Sequence, residues 1–163
     1  MVKKSILELI GYCGLYCPDC IRYKSKVSML ANNLLEELEK SEFGEYAKIK
    51  NSAKKQLNPV KQLTNYNECI EVLGAIADLQ CNIPCRIGGG CPTFSCDILK
   101  CCTKKNLEGC WQCEEFMNCA KFKGLQSIHG NTPQQNLSEI KKHGINNWTK
   151  YRHNCYIWQK QIS

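Results

Sequence analysis

The chain has 163 residues, 14 of them cysteine, and a formal net charge of +7. A single domain holds roughly 100 to 200 residues, and cysteine at about 9% of a chain marks a scaffold that cross-links complete, since the conventionally apolar residues fill only a modest core. A secretory leader is not expected, because the apolar run after Lys3 and Lys4 is broken at Glu8, and no stretch is long enough to span a bilayer. The protein is therefore read as cytoplasmic, where spaced cysteines hold metal more often than they form disulfides.

In chain order, Pro18 directly after Cys17 suits the first position of a helix, with Asp19 in its first turn. Ile21, Val27, Leu30, Ala31, Leu34, Leu35 and Leu38 then carry one apolar stripe to Lys40. A second helix runs from Phe43 through Tyr46, Ala47, Lys50 and Ala53 to Leu57, where Asn58-Pro59 stops it. Tyr66, Cys69, Ile70, Leu73, Ile76 and Ala77 form a third, ending near Gln80. Further on, Thr132-Pro133-Gln134-Gln135 reads as an N-cap, a first-position proline and a capping-box Gln. That helix buries Leu137 and Ile140 and closes at Gly144. A last helix, capped by Asn146, spaces Trp148, Tyr151, Cys155 and Trp158 three or four residues apart. No alternating strand pattern appears. The fold class is mainly α, a small helical domain with irregular cysteine-rich metal-binding loops. It is read as a single domain over 1–163, with a helical segment at 21–80, a metal-binding core at 81–124 and C-terminal helices at 125–163.

The first cysteine group is Cys13-Gly-Leu-Tyr-Cys17-Pro-Asp-Cys20. Radical S-adenosylmethionine enzymes share its CxxxCxxC spacing, but they need an αβ barrel, and this chain offers no βα alternation. Cys17 as a helix cap and Cys20 in the first turn instead place two thiols where the positive helix end favours thiolate. The second group comprises Cys81, Cys85, Cys91, Cys96, Cys101, Cys102, Cys110, Cys113 and Cys119. Cys110-Trp-Gln-Cys113 is a knuckle able to clasp one tetrahedral ion, and Cys96 with Cys101 or Cys102 supplies another pair. Adjacent cysteines on a helix point about 100° apart, so one of Cys101 and Cys102 is a core or redox thiol. Cys69 and Cys155 are read as core residues on apolar stripes, and Trp111 and Trp148 as buried packing. His129, His143 and His153 lack paired ligand spacing, and His143 reads as a cation at a helix C-terminus. Gly88-Gly89-Gly90 is either a close wrap around a ligand or a plain flexible turn.

CGLYCPDC, CRIGGGCPTFSCDILKCC, NLEGCWQCEEFMNC and NLSEIKKHGINNW occur in that order. Together they resemble the prokaryotic cysteine-rich family described only as domain of unknown function thirty-seven ninety-five. The family pattern falls on Cys13, Cys17, Cys20, Cys85, Cys96, Cys101, Cys110, Cys113 and Cys119. The chain departs from it at Pro84, where a glycine is usual, and in the additional Cys91 and Cys102. The resemblance implies metal binding without an established activity. Similarity to proteins common in anaerobic bacteria and archaea keeps an iron–sulfur reading open.

The metal ligands expected are Cys13, Cys17, Cys20, Cys85, Cys91, Cys96, Cys101, Cys110, Cys113 and Cys119. Zinc is the cofactor expected and a [4Fe-4S] cluster the alternative. Four thiolates around a dication carry net negative charge, so such sites draw the +7 balance back toward zero. Basic runs never exceed two residues, and solvated lysines are preferred to a nucleic-acid patch. The leading function is a non-catalytic zinc module that binds a protein partner away from any membrane. The second is a redox or electron-transfer protein using a cluster or the Cys101-Cys102 thiols. A hydrolase with an open zinc is disfavoured, because an all-cysteine shell leaves no neutral ligand set or nearby general base of the usual kind.

Overall fold

The computed structural model describes residues 5–52, 60–90 and 96–152, and its described residues are mainly helical with no strand. The nearest approach to a sheet is one antiparallel bridge between Ile10 and Tyr16. No helix among the described residues is long and apolar enough to cross a membrane. The chain divides into two compact units, one of residues 24–81 and one that joins the stretch before it to the stretch after it.

In the unit of residues 24–81, α2 spans Lys26–Lys40, α3 Phe43–Ser52 and α4 Tyr66–Asp78. The expected helix start at Pro18 is not where α2 begins. Cys17–Asp19 forms a single 3-10 turn, Lys24 takes φ 49°, and Ser25 caps α2 by accepting from the Ser28 N–H at 3.2 Å. A left-handed residue cannot continue an α-helix, so the long helix is displaced to the next competent cap. The expected stripe also divides. Ser28 and Ala31 are buried, with Leu35 and Leu38 half-buried on the same seam. Val27, Leu30 and Leu34 stand one position earlier in that repeat, rotated by about 100°, and are roughly half exposed. α3 begins where expected, while its expected end at 53–59 lies outside the described residues. Phe43 packs on Tyr66 with ring centroids 5.7 Å apart. Cys69, expected in the core, is exposed. Tyr66, Ile70, Leu73 and Ala77 form the inner seam of α4, and Cys69 sits on the flank beside it.

The other unit holds α1 at Ile6–Leu9, α5 at Asp97–Lys104, α6 at Lys123–His129 and α7 at Thr132–His143, joined by 3-10 turns. Glu8, which breaks the early apolar run, completes a capping box with Ser5 that starts α1. α7 has the bounds expected, but its cap differs. Asn131 precedes it without a side-chain cap bond, and Thr132 is buried as the first helical residue. His143 is the last residue of α7, 3.3 Å from Glu139 and stacked on Tyr151. From Asn146 onward the described chain shows a 3-10 turn at Trp148–Lys150 in place of an α-helix start. His153, Cys155 and Trp158 lie outside the described residues. One core joins these pieces: Ile10, Ile98, Cys102, Cys110, Trp111, Phe116, Phe122, Leu137, Ile140 and Trp148. Both Trp111 and Trp148 are buried, as expected.

Candidate functional site

The cysteine segments of the second unit are held in place by polar clasps. Tyr12 accepts from the Cys110 N–H at 2.9 Å through its carbonyl, joining the first cysteine group to the knuckle. Arg86, next to Cys85, donates from Nε to the Ile10 carbonyl at 3.0 Å and from Nη1 to the Glu108 carbonyl at 2.8 Å. Its guanidinium lies 4.2 Å from the centroid of the Tyr12 ring, a stacked cation. Behind the first group, Asn136 Nδ2 donates to the Gly14 carbonyl at 2.8 Å. Trp148 meets Tyr16 edge-on with centroids 5.4 Å apart, and Arg152 pairs with Asp19. The motif at residues 13–20 is thus buttressed from α7 and the turn after it.

Local backbone needs explain the glycines. Gly88 and Gly90 take φ 97° and 108°, and Gly89 donates to the Pro84 carbonyl at 3.0 Å. A Cβ on Gly89 would lie 1.7 Å from the Ile83 carbonyl, and one on Gly90 would touch Cys85 Sγ at 3.5 Å. Gly89 is required by the close backbone of Ile83 and Pro84, and Gly88 and Gly90 by their left-handed φ.

The knuckle closes as a 3-10 turn, with the Cys113 N–H donating to the Cys110 carbonyl at 2.9 Å. Cys110 is buried, and its Sγ lies 3.5 Å from Cys102 Sγ. Burial pushes the Cys110 thiol well above the ordinary cysteine range, and the neighbouring Cys102, Cys13 and Cys113 push it further. Burial likewise raises Cys13, to about 12, against a smaller opposing hydrogen bond from Leu15, with Cys85 and Cys96 adding repulsion. Cys102 is raised by burial too. As neutral thiols Cys102 and Cys110 share a hydrogen bond, and the burial that raises all three opposes their thiolate forms unless a cation compensates them.

The vicinal pair separates as helix geometry requires. Cys102 joins Ile98 on the buried side of α5, and Cys101 is half-buried on another face. The partner of Cys110 is therefore Cys102, absent from the expected ligand set, and the signal that marks it is its i+4 spacing from the apolar Ile98. The cysteine that caps a helix is Cys96, whose Sγ accepts from the Leu99 N–H of α5 at 3.4 Å. Cys17 begins a 3-10 turn and Cys20 ends it, so the expected α-helical dipole is not at these thiols. Cys119 is half-buried at the edge of the core, and Cys91 lies outside the described residues. Among the described residues, no group of three or more His, Cys, Asp or Glu side chains stands at metal-binding geometry.

These features define a mainly helical, cysteine-rich protein with Cys102 and Cys110 in one small core and Cys13, Cys113 and Cys119 packed against it. The family model "Protein of unknown function (DUF3795)" matches residues 9–124, and the chain belongs to that family. No curated protein and no solved structure matches it.

Proposed function

We propose that this protein is a metal–thiolate module of the cytoplasm, in which zinc held by cysteines staples the loops to the helices and leaves the exposed surface to a protein partner. The observation that carries the reading is the buried pair Cys102 and Cys110, with sulfurs 3.5 Å apart. That is far beyond the roughly 2.05 Å of a disulfide. It is close to the edge of about 3.8 Å that a tetrahedron with zinc–sulfur bonds of about 2.3 Å requires. Cys113 and Cys13, which act electrostatically on Cys110, are the thiols that would have to draw in to complete a shell around one ion, since the pair alone stands at ligand spacing among the described residues. Cys85 and Cys96, which act electrostatically on Cys13, are candidates for another. The donor chemistry fits: soft sulfurs in a dry core gain most from a dication that deprotonates them. Bound in a closed shell, zinc supplies folding energy and no open position for substrate, which makes the role non-catalytic.

Metal analysis and a visible spectrum on protein purified without oxygen test this directly. At least one equivalent of zinc and no colour are expected, with Cys110→Ser and Cys102→Ser each losing metal. A brown protein carrying iron and acid-labile sulfide would overturn the zinc reading in favour of a cluster.

A further inference from the structure

Helix α5 has two chemically distinct sides. Ile98 and Cys102 enter the core. Asp97, Lys100, Cys101, Lys104 and Lys105 line a shallow, open cleft of about 630 Å³ to which Lys121 also contributes. Their spacing of three and four residues places them on one face. Lys105 lies 3.7 Å from Glu115, whereas Lys100, Lys104 and Lys121 have no ion pair among the described residues. Four ammonium groups thus converge on a concavity that holds one carboxylate, Asp97, and one half-buried thiol, Cys101. In the sequence these lysines come singly and in one pair, and only the fold gathers them. Like charges brought together on a small helix repel, and an anion seated between them relieves the repulsion.

We propose that this cleft is a binding site for a small oligophosphate anion, with Cys101 in its floor. The volume lies in the range of small-ligand sites, roughly 300 to 1,000 Å³. A lysine is a mobile point charge suited to phosphate oxygens. The assignment does not depend on a bound metal, since Cys101 faces the lysines and Cys102 faces the core.

The whole chain, purified without oxygen, is alkylated in parallel with anionic iodoacetate and neutral iodoacetamide, and each cysteine is read by peptide mass spectrometry. The ratio of the two rates cancels the thiol's own ionisation and reports local potential. At low salt the ratio at Cys101 is expected to exceed that at Cys69, which has Glu68 and Glu71 as neighbours, by at least about fivefold, and to collapse in high salt. Lys100→Gln with Lys104→Gln removes most of the difference. Inorganic pyrophosphate is expected to protect Cys101 from the neutral reagent as well, where chloride at matched ionic strength does not. Equal ratios at the two cysteines, or equal protection by chloride, would overturn the proposal. Protection by a single-stranded oligonucleotide at concentrations below those of pyrophosphate would replace it with a nucleic-acid surface. If Cys101 resists both reagents, amide shift mapping with pyrophosphate decides: saturable shifts at residues 97–105 and 121 support the site, and none up to about 10 mM refutes it.

Discussion

Gly14 sits at φ 87°, and a methyl group there would meet the Pro133 carbonyl at 2.6 Å and Leu137 Cγ at 2.8 Å. Leu137 is fully buried and the Gly14 carbonyl holds Asn136, so neither neighbour yields cheaply. Gly14→Ala therefore combines left-handed strain with overpacking and is expected to cost about 2 to 4 kcal/mol in urea unfolding. Gly124 in α6 has nothing within 4 Å of an added Cβ, and Gly124→Ala should be neutral or stabilising by up to about 1 kcal/mol. A loss of similar size at both positions would contradict the close packing of the first cysteine motif against α7. His129 gives the residue scale a pH signature. Burial lowers its pKa below the usual 6.5, so as pH falls through that value the unfolded chain takes up the proton first. Its contribution to stability is complete above about 6.5 and is lost as pH falls toward the depressed folded value. His129→Gln should flatten the fall in urea midpoint between about pH 6.5 and 5 relative to the parent chain. Because thiolate protonation acts equally on both proteins, the difference between them isolates the histidine.

At the scale of elements, the sequence revealed helices where amphipathic repetition ran long, as in α2 and α4, or where start and stop residues flanked them, as in α7. It concealed them where they are short. α1 is 4 residues and α5 is 8, and neither offers two full repeats of an apolar stripe. Both are started by local bonds, Ser5 with Glu8 and Cys96 with Leu99. A sulfur acting as N-cap is invisible to rules built on hydroxyls and carboxylates. The displaced start of α2 has the same origin. Pro18 and Asp19 are good first-turn residues, yet the turn they begin is only 3 residues long, and the left-handed Lys24 separates it from Ser25. Which cysteines to consider was legible from spacing alone. Their grouping was not, because it depends on α5 turning Cys102 inward and Cys101 toward lysines, and on Arg86 tying Cys85 to carbonyls 76 and 22 residues away. Long-range clasps of that kind leave no periodic trace in a chain.

For the whole molecule, the two units differ in what holds them. Residues 24–81 bury mainly Ser25, Ser28, Ala31 and Ala47 beneath long helices, and their helices repeat the amphipathic pattern that packing rewards. The other unit joins 10 buried residues in one cluster, all but Ile10 from helices and 3-10 turns, with Cys102 and Cys110 of that cluster and Cys13 against it raised by burial. A structural zinc supplies about 10 to 16 kcal/mol of apparent binding free energy. A domain's net stability is only about 5 to 15 kcal/mol, so if zinc is held at these thiols as proposed, its loss would remove as much as the unit has. A strong chelator should therefore accelerate amide exchange through residues 82–90 and 96–152 while exchange in α2 and α4 stays near its starting rate. Hydrogen-exchange mass spectrometry with and without chelator reads this segment by segment. Unchanged exchange in 96–152 after demonstrated loss of metal would mean that the hydrophobic core and its clasps suffice, and that a metal at these thiols is not structural.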